Sequence, residues 1–225
     1  MDARKQALLK FVIEEYIATA EPVGSSFVTK KGDFDVSAAT VRNEMRDLED
    51  EGFLTHPHTS AGRTPTEKGY QYYVDTIMEV VSLNKNIEKA IDEAVAAGSD
   101  ARDKVKQVAK FAAEHLSCSI IVAFSETSVY YTGISHLFAQ PEFRDSAYTV
   151  HISKIFDHCE ERLGEMYSLI PEGETEVLIG EGNPFGSSCG LVGTRVGDTL
   201  FTVLAPMRMD YAKAVALLKY IHSTK

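Results

Sequence analysis

Three side chains that could read the bases of a DNA duplex lie between residues 42 and 46. On a helix, Asn43 and Arg46 would share one face with Ala39, because residues three and four apart are neighbours there, and Arg42 would lie on the flank of that face. An asparagine can pair with adenine, and an arginine with guanine or with a phosphate group, as in many major-groove contacts. The spacing therefore predicts a face that reads DNA. The alternative is an ordinary solvated polar face, which is common on helices.

The residues around this face also suit an approach to DNA. Ala39 is small enough to let the start of the helix come close to base edges. The hydroxyl groups of Ser37 and Thr40 could bind a phosphate beside the free backbone N–H groups of the first turn. A later polar loop could lie along the DNA backbone or enter the minor groove. Its candidate contacts are His58, Thr59, Ser60 and Arg63.

Three helices are predicted before residue 52, and they would position the candidate face. The first two span residues 4–20 and about 25–31, with Ser25 or Ser26 as the cap of the second. The third spans residues 38–51, begins after an N-cap at Ser37 and ends before Gly52. The residues expected on its inward face are Val41, Met45 and Leu48.

A strand, a loop and a second strand follow the third helix. Residues 53–56 predict a strand, residues 57–63 a loop, and residues 64–66 a returning strand, with Thr66 as the cap of a fourth helix. Three helices followed by a hairpin are the order of a winged helix-turn-helix. We therefore predict a DNA-binding domain over residues 1–75.

The remaining residues predict helices followed by a sheet. A helical connector, which could also form a dimer, is expected over residues 76–116, as one helix over 76–97 and another over 101–116. Residues 117–225 predict an α+β domain in which helices cover one face of an antiparallel sheet. Its expected strands are 120–124, 129–132, 176–179, 190–193 and 199–204, and its main helices are 142–163 and 210–223.

The overall charge opposes DNA binding. The 225 residues carry a formal net charge of -10, and residues 1–75 hold nine lysines and arginines against thirteen acidic residues. Phosphate contacts supply much of the affinity of a DNA-binding protein. A local basic patch can still bind DNA on an acidic protein, and dimerisation helps it to do so.

The cysteines and the apolar segments indicate a cytoplasmic protein. The three cysteines are far apart and odd in number, so they do not suggest a disulfide framework. No apolar run reaches the roughly 18 to 20 residues that a membrane span needs. The opening residues do not have the pattern of a signal peptide. We therefore expect no contact with a membrane.

Enzymatic and metal-binding alternatives have little support in the sequence. His56 and His58 could share a strand face, but no third metal ligand has a suitable spacing. Cys159 follows His158 without a third group to orient the pair. The glycine-rich residues 180–186 do not open a helix, as a phosphate-binding loop would. We expect no enzyme activity, metal or cofactor.

A ligand-sensing regulator is the alternative function. Tyr130, Tyr131, Phe143 and Phe201 could line a pocket in the sheet domain, although aromatic residues in a small sheet are more often core. The N-terminal domain would then bind a different operator or make protein contacts only. Salt-dependent DNA binding would exclude the second of these possibilities.

Several stretches of the chain resemble the family of the heat-inducible transcription repressor HrcA. The resemblance is strong up to about residue 75, becomes looser afterwards and covers nearly the whole chain. The stretches that carry it include EPVGS at 21–25, VSAATVRNEM at 36–45, PHTSAGR at 57–63, GISHL at 133–137 and VLAPMRMDY at 203–211. The resemblance implies a winged-helix domain joined to a GAF-like domain.

The resemblance also implies a function and partners. It implies a homodimer that binds an inverted-repeat operator on double-stranded DNA and represses chaperone operons. It implies that the chaperonin helps to keep the repressor active and that heat stress relieves repression.

One departure from the family concerns dimerisation. Family members usually carry an inserted dimerising domain before the stretch that matches residues 133–135, whereas here Ser125 is followed almost at once by Tyr130. A two-fold operator still requires a two-fold protein. We therefore expect the connector helices to supply the dimer interface. The candidate residues are Ile77, Val81 and Ile87.

Overall fold

Helices form most of the first 79 residues of the computed structural model, which describes residues 1–57 and 62–223. The elements of this part are α1 (Ala3–Thr19), α2 (Ser25–Lys31), α3 (Ala38–Asp50), β1 (Leu54–Thr55), β2 (Thr64–Pro65) and α4 (Glu67–Tyr72). A single turn of π-helix, Tyr73–Ile77, continues α4. This is the predicted order of helices and strands.

The ends of these helices follow from local side chains. The Ser37 and Thr66 side chains accept hydrogen bonds from the first turns of α3 and α4, as predicted. Gly52 follows α3 with a φ of 80°, a conformation that favours glycine. The prediction for α2 was wrong by one position: Gly24 occupies the N-cap, without a side-chain cap, and Ser25 is the first helical residue.

An apolar core joins α1, α3 and the hairpin. Leu9 and Ile13 of α1, Val41 and Leu48 of α3, and Leu54 of β1 are all at most 1% exposed. Phe34, in the turn between α2 and α3, packs edge-on against Phe11 of α1 with ring centroids 5.8 Å apart. The turn therefore fixes α3 against α1, with its outer face turned away from the core.

The second part of the chain is an α+β assembly, which confirms the predicted class. Its strands are β3 (Ser119–Ser125), β4 (Ser128–Thr132), β5 (Thr175–Ile179), β6 (Cys189–Val196) and β7 (Thr199–Pro206). Its helices are α5 (Lys85–Ala97), α6 (Ala101–Leu116), α7 (Ile134–Phe138), α8 (Ser146–Asp157), α9 (Cys159–Leu169) and α10 (Tyr211–Ser223), with short 3₁₀ turns at Pro141–Arg144 and Gly180–Gly182.

Helices cover both faces of the five-stranded antiparallel sheet, whose order is β4-β3-β7-β6-β5. Ile121 and Ala123 of β3 share a core with residues of α8 and α9, whereas α6 and α10 pack on the opposite face. The prediction of helices on one face was therefore wrong. The physical reason is visible in β3: a strand buried on both sides has a continuous apolar sequence, not an alternating one.

The expected continuous helix over 76–97 was also wrong. Residues 78–84 are not helical, and α5 begins only at Lys85. The interruption contains two β-branched valines, Val80 and Val81, which have a low helix propensity. Asn84 then caps α5 by accepting a hydrogen bond from the backbone of Asn86. The apolar spacing in this segment therefore did not reflect one helix face.

The chain divides into two compact units, Met1–Glu79 and the residues from Val80 onward. Residues 76–116, expected as a separate connector, are thus shared between the units, and α5 and α6 belong to the second. No helix in residues 1–57 and 62–223 combines the length and the apolarity that crossing a membrane requires.

Candidate nucleic-acid interface

The two faces of α3 differ sharply in character. Val41 and Leu48 are fully buried, and Met45 is 3% exposed, which confirms the predicted inward face. Arg42 and Arg46 are exposed on the opposite side. Ala39 and Asn43 are exposed on that side as well, and so are Asp47 and Asp50 nearer the end of the helix. The core contacts of α3 therefore determine which side chains it presents to solvent.

Three polar side chains of the outer face have unpaired donor groups in the part of the chain that the structure describes. Among the residues that the structure describes, none forms a hydrogen bond or an ion pair with the side chains of Arg42, Asn43 or Arg46. All of their donor groups can therefore bind an external acceptor. Two guanidinium groups and one amide on a single exposed face are the groups that phosphates and base edges require.

The beginning of α3 is a second place that could bind a phosphate. The Ser37 hydroxyl accepts a hydrogen bond of 3.2 Å from the Thr40 backbone N–H, and its Oγ lies 3.0 Å from the Thr40 Oγ1. Ala38 and Ala39 follow Ser37, and the helix itself offers their N–H groups no acceptor. The two hydroxyls and these N–H groups thus lie together at the positive end of the helix.

A buried carboxylate, which the sequence analysis missed, joins α3 to α1. Glu44 is 6% exposed and forms an ion pair with Arg4, whose Nε donates a hydrogen bond of 2.7 Å to its Oε1. Glu44 falls within the apolar stripe formed by Val41, Met45 and Leu48. A charge in such a stripe requires a partner, and this requirement was the available signal.

Arg63 is held inside the first unit. Its backbone pairs with that of Val23 through hydrogen bonds of 2.9 and 2.8 Å, and its Nη2 lies 2.7 Å from the Glu49 Oε2 on α3. Only 20% of its side chain is exposed. Arg63, which the sequence predicts as a DNA contact, thus forms an ion pair within the first unit at the base of the hairpin. The other predicted contacts of the loop, His58, Thr59 and Ser60, lie outside the described residues.

The candidate dimer residues do not form one helical stripe. Ile77 lies in the π-helical turn and Val81 in the non-helical segment, and only Ile87 is on α5. Val80 and Val81 are each 48% exposed, which is unusual for valine side chains in a folded unit. Two adjacent exposed apolar side chains thus lie just before α5, and Val150 of α8 is a further one in this unit.

The aromatic residues considered for a ligand pocket are divided between the two faces of the sheet. Tyr131 contacts Phe156 of α8, whereas Tyr130 lies under Lys106 of α6. Phe201, on the α6 side, lines a mostly apolar cavity of about 420 Å³ between α5, α6, α10 and the sheet. Phe143 packs beside Tyr148 of α8, against the core on that face. The four residues therefore do not surround a common site.

The cysteines of the second unit are buried in its core. Burial raises the pKa of Cys159 to about 11 and that of Cys189 to about 12, and it also raises the pKa of Cys118. A thiol reacts as its thiolate, so these groups are poor nucleophiles near neutral pH. Among residues 1–57 and 62–223, no three histidine, cysteine or acidic side chains form a metal-binding group.

The sequence is similar to proteins named as heat-inducible transcription repressor HrcA. The one from Bifidobacterium adolescentis is 43% identical over 121 residues, which cover 54% of this chain and 32% of that protein. The one from Carboxydothermus hydrogenoformans is 53% identical over 91 residues, which cover 40% and 27%. The matched part thus spans about a third of the length of these curated relatives.

Two further comparisons cover more of the chain. A crystal structure described as that of a hypothetical protein aligns over 100% of both chains with a TM-score of 0.70 at 16% identity, which shows a shared fold. The model of the HrcA protein C terminal domain matches residues 75–215. Because this match covers more than half of the sequence, the chain belongs to the HrcA family.

Proposed function

We propose that this protein is a DNA-binding repressor of heat-inducible transcription and that α3 reads the operator. The single observation that carries the proposal is the outer face of α3, where Arg42, Asn43 and Arg46 are exposed and have no partner among the described residues. The relatives named as heat-inducible transcription repressors support the same function.

The geometry of the first unit supports a role for α3 as the recognition helix. It is the second helix of a helix-turn-helix, the element that enters the major groove in such proteins. Asn43 would read an adenine, and Arg42 and Arg46 would bind guanine or phosphate groups. Ser37, Ala39 and Thr40 would bring the start of the helix against the DNA backbone.

The operator is an inverted repeat, and the repressor is a homodimer in this proposal. One α3 offers few contacts on a chain of net charge -10, so a pair of half-sites would supply the missing affinity. Val81 and the neighbouring Ile77 and Ile87 are the candidate interface. The inserted domain of the family would be absent, because β3 and β4 pair up to Ser125 and Ser128 across a two-residue turn.

The regulated genes are heat-shock and chaperone operons in this proposal. The name of the relatives supports a heat-inducible response, and the resemblance of the sequence to the family supports a role for the chaperonin in keeping the protein active. DNA binding belongs to the unit Met1–Glu79, which also contains the candidate dimer residue Ile77. The second unit contains Val81 and Ile87 and is the candidate for control by temperature.

A fluorescence titration against an inverted repeat from a chaperonin promoter tests this function. It compares the unaltered chain with Arg42→Ala/Arg46→Ala at several salt concentrations. Losing two contacts of about 1 kcal/mol or more each should lower the affinity at least ~30-fold. It should also flatten the dependence of log K on log salt by about 0.9 for each lost phosphate contact.

The matched control is Arg144→Ala/Lys154→Ala, which removes two exposed positive charges from the second unit. This control should bind the operator like the unaltered chain. A titration end point of two chains per inverted repeat would support the dimer. Equal binding to unrelated DNA, or a double variant on α3 that binds normally, would contradict the proposed function.

A further inference from the structure

One carboxylate of α3 connects the recognition helix to both strands of the hairpin. The Glu49 Oε2 lies 2.7 Å from the Nη2 of Arg63, the residue that precedes β2. Its Oε1 contacts the Nδ1 of His56, the residue that follows β1. The Glu49 side chain is only 21% exposed. Glu49 thus holds the two strands at the position where the hairpin meets α3.

The backbone around Arg63 is fixed independently of this ion pair. Arg63 and Val23 exchange two backbone hydrogen bonds and form an isolated antiparallel bridge beside the hairpin. At Gly62, a Cβ would lie 2.5 Å from the carbonyl carbon of Val23, which only glycine avoids. The Arg63 Nε is also buried, without a hydrogen-bond partner among the described residues. The main chain of Arg63 is therefore fixed by Val23, and the contact described for its side chain is the ion pair with Glu49.

Arg63 differs from the arginines on the outer face of α3 in both its exposure and its pairing. Arg42 and Arg46 are exposed and unpaired among the described residues, whereas Arg63 has a carboxylate partner and is largely buried. A phosphate that bound the remaining donors of Arg63 would share its guanidinium with Glu49. It would also approach the negative charge of that glutamate.

We propose that Glu49 is a positioning residue for operator binding: through Arg63 and His56 it sets the hairpin against α3, and Arg63 acts through this ion pair and not as a phosphate contact. The inference rests on the proposed function. It assigns Arg63 a role different from the DNA contact that the sequence predicts.

The two roles of Arg63 predict opposite effects of neutralising Glu49. If Arg63 bound phosphate, Glu49 would compete with the DNA, and Glu49→Gln would tighten binding. If Glu49 positions the hairpin, Glu49→Gln should weaken operator binding about 5- to 10-fold. Arg63→Gln should cause a similar loss without changing the salt dependence, because no phosphate contact is removed. The double variant should be no weaker than either single variant, because both residues serve one interaction.

The experiment is the operator titration of the full chain at pH 8 and several salt concentrations. Asp50→Asn is the matched control, because it removes one exposed negative charge from the adjacent position of α3 and should leave the affinity unchanged or slightly tighter. The charge-exchanged variant Glu49→Arg/Arg63→Glu restores an ion pair without an arginine at position 63. It should recover most of the affinity that Arg63→Glu loses. Circular dichroism melts of each variant identify a working temperature at which all are folded.

Three results would overturn the inference. They are tighter binding by Glu49→Gln, a salt slope that falls by about one unit in Arg63→Gln, and a charge-exchanged variant as weak as Arg63→Glu. The unaltered chain reports separately on the proposed function. If it binds no DNA selectively, the proposed function fails and this inference fails with it; if it binds but the variants behave as a phosphate contact predicts, only this inference fails.

Discussion

The two units of the molecule differ in whether their side chains with binding or reactive groups reach solvent. In the first unit, α3 exposes Arg42 and Arg46 without partners among the described residues. In the second unit, Cys118, Cys159 and Cys189 are each about 1% exposed, and burial raises the pKa of all three thiols. Residue type alone thus does not identify a site. A hydrogen-bond donor that reaches solvent can bind a partner, whereas a buried thiol packs in the core as a small apolar group.

The first unit also resolves the conflict between an acidic composition and DNA binding. Several of its positive charges pair with acids inside the unit, as Lys5 does with Asp47 at 2.9 Å and Lys31 with Glu15 at 2.7 Å. These pairs neutralise carboxylates that would otherwise repel phosphate groups. The arginines on the outer face of α3 remain available, so the local field at α3 need not follow the net charge.

The largest effect is expected when the inward face of α3 is altered instead of its outer face. Leu48→Ala should lower the free energy of unfolding by about 2 to 5 kcal/mol, because it leaves a cavity where the leucine is fully buried. Urea unfolding monitored by hydrogen exchange at the amides of α1 and α3 would measure this loss within the first unit.

Leu169→Ala is the matched control in the second unit. Leu169 is 37% exposed on α9, so the same change in side-chain size should cost well below 1 kcal/mol. Equal losses for the two variants would contradict the assignment of Leu48 to a closely packed core.

The sequence was informative where structure depends on neighbouring residues. The cap at Ser37, the turn at Gly52 and the apolar spacing of α3 are local, so they predicted the helix and its two faces. The functional roles assigned to the exposed residues stay predictions.

Other features depend on partners far along the chain, and the sequence pattern did not reveal them. Arg4 and Glu44 are 40 residues apart, and their pairing depends on how α1 packs against α3. The ion pair of Arg63 with Glu49 likewise forms only when the hairpin folds back onto the helix. The second helical layer of the sheet was missed for another reason: the continuous apolar run of β3 indicates a strand buried on both faces, and the prediction of helices on one face did not use it.

A smaller effect is expected for the amide on the outer face of α3. Asn43→Ala should leave the stability nearly unchanged, because Asn43 is exposed, and should reduce discrimination at one base pair by about 1 to 3 kcal/mol. Titrations against operators that carry each base pair in turn at every half-site position would reveal the position it reads. A uniform loss of affinity for all operators would instead assign Asn43 to the DNA backbone.

The smallest effect is expected for the native thiols, and it tests the contrast between the units directly. At pH 8 the three cysteines should not react with a thiol reagent while the chain is folded, because burial keeps their pKa well above this pH. A cysteine introduced by Ala39→Cys on the exposed start of α3 should react at once, and operator DNA should slow that reaction. All native thiols should react after denaturation in guanidinium chloride. Rapid labelling of the folded, unaltered chain would show that a cysteine of the second unit is accessible. The contrast between the exposed side chains of α3 and the buried thiols of the second unit would then be wrong.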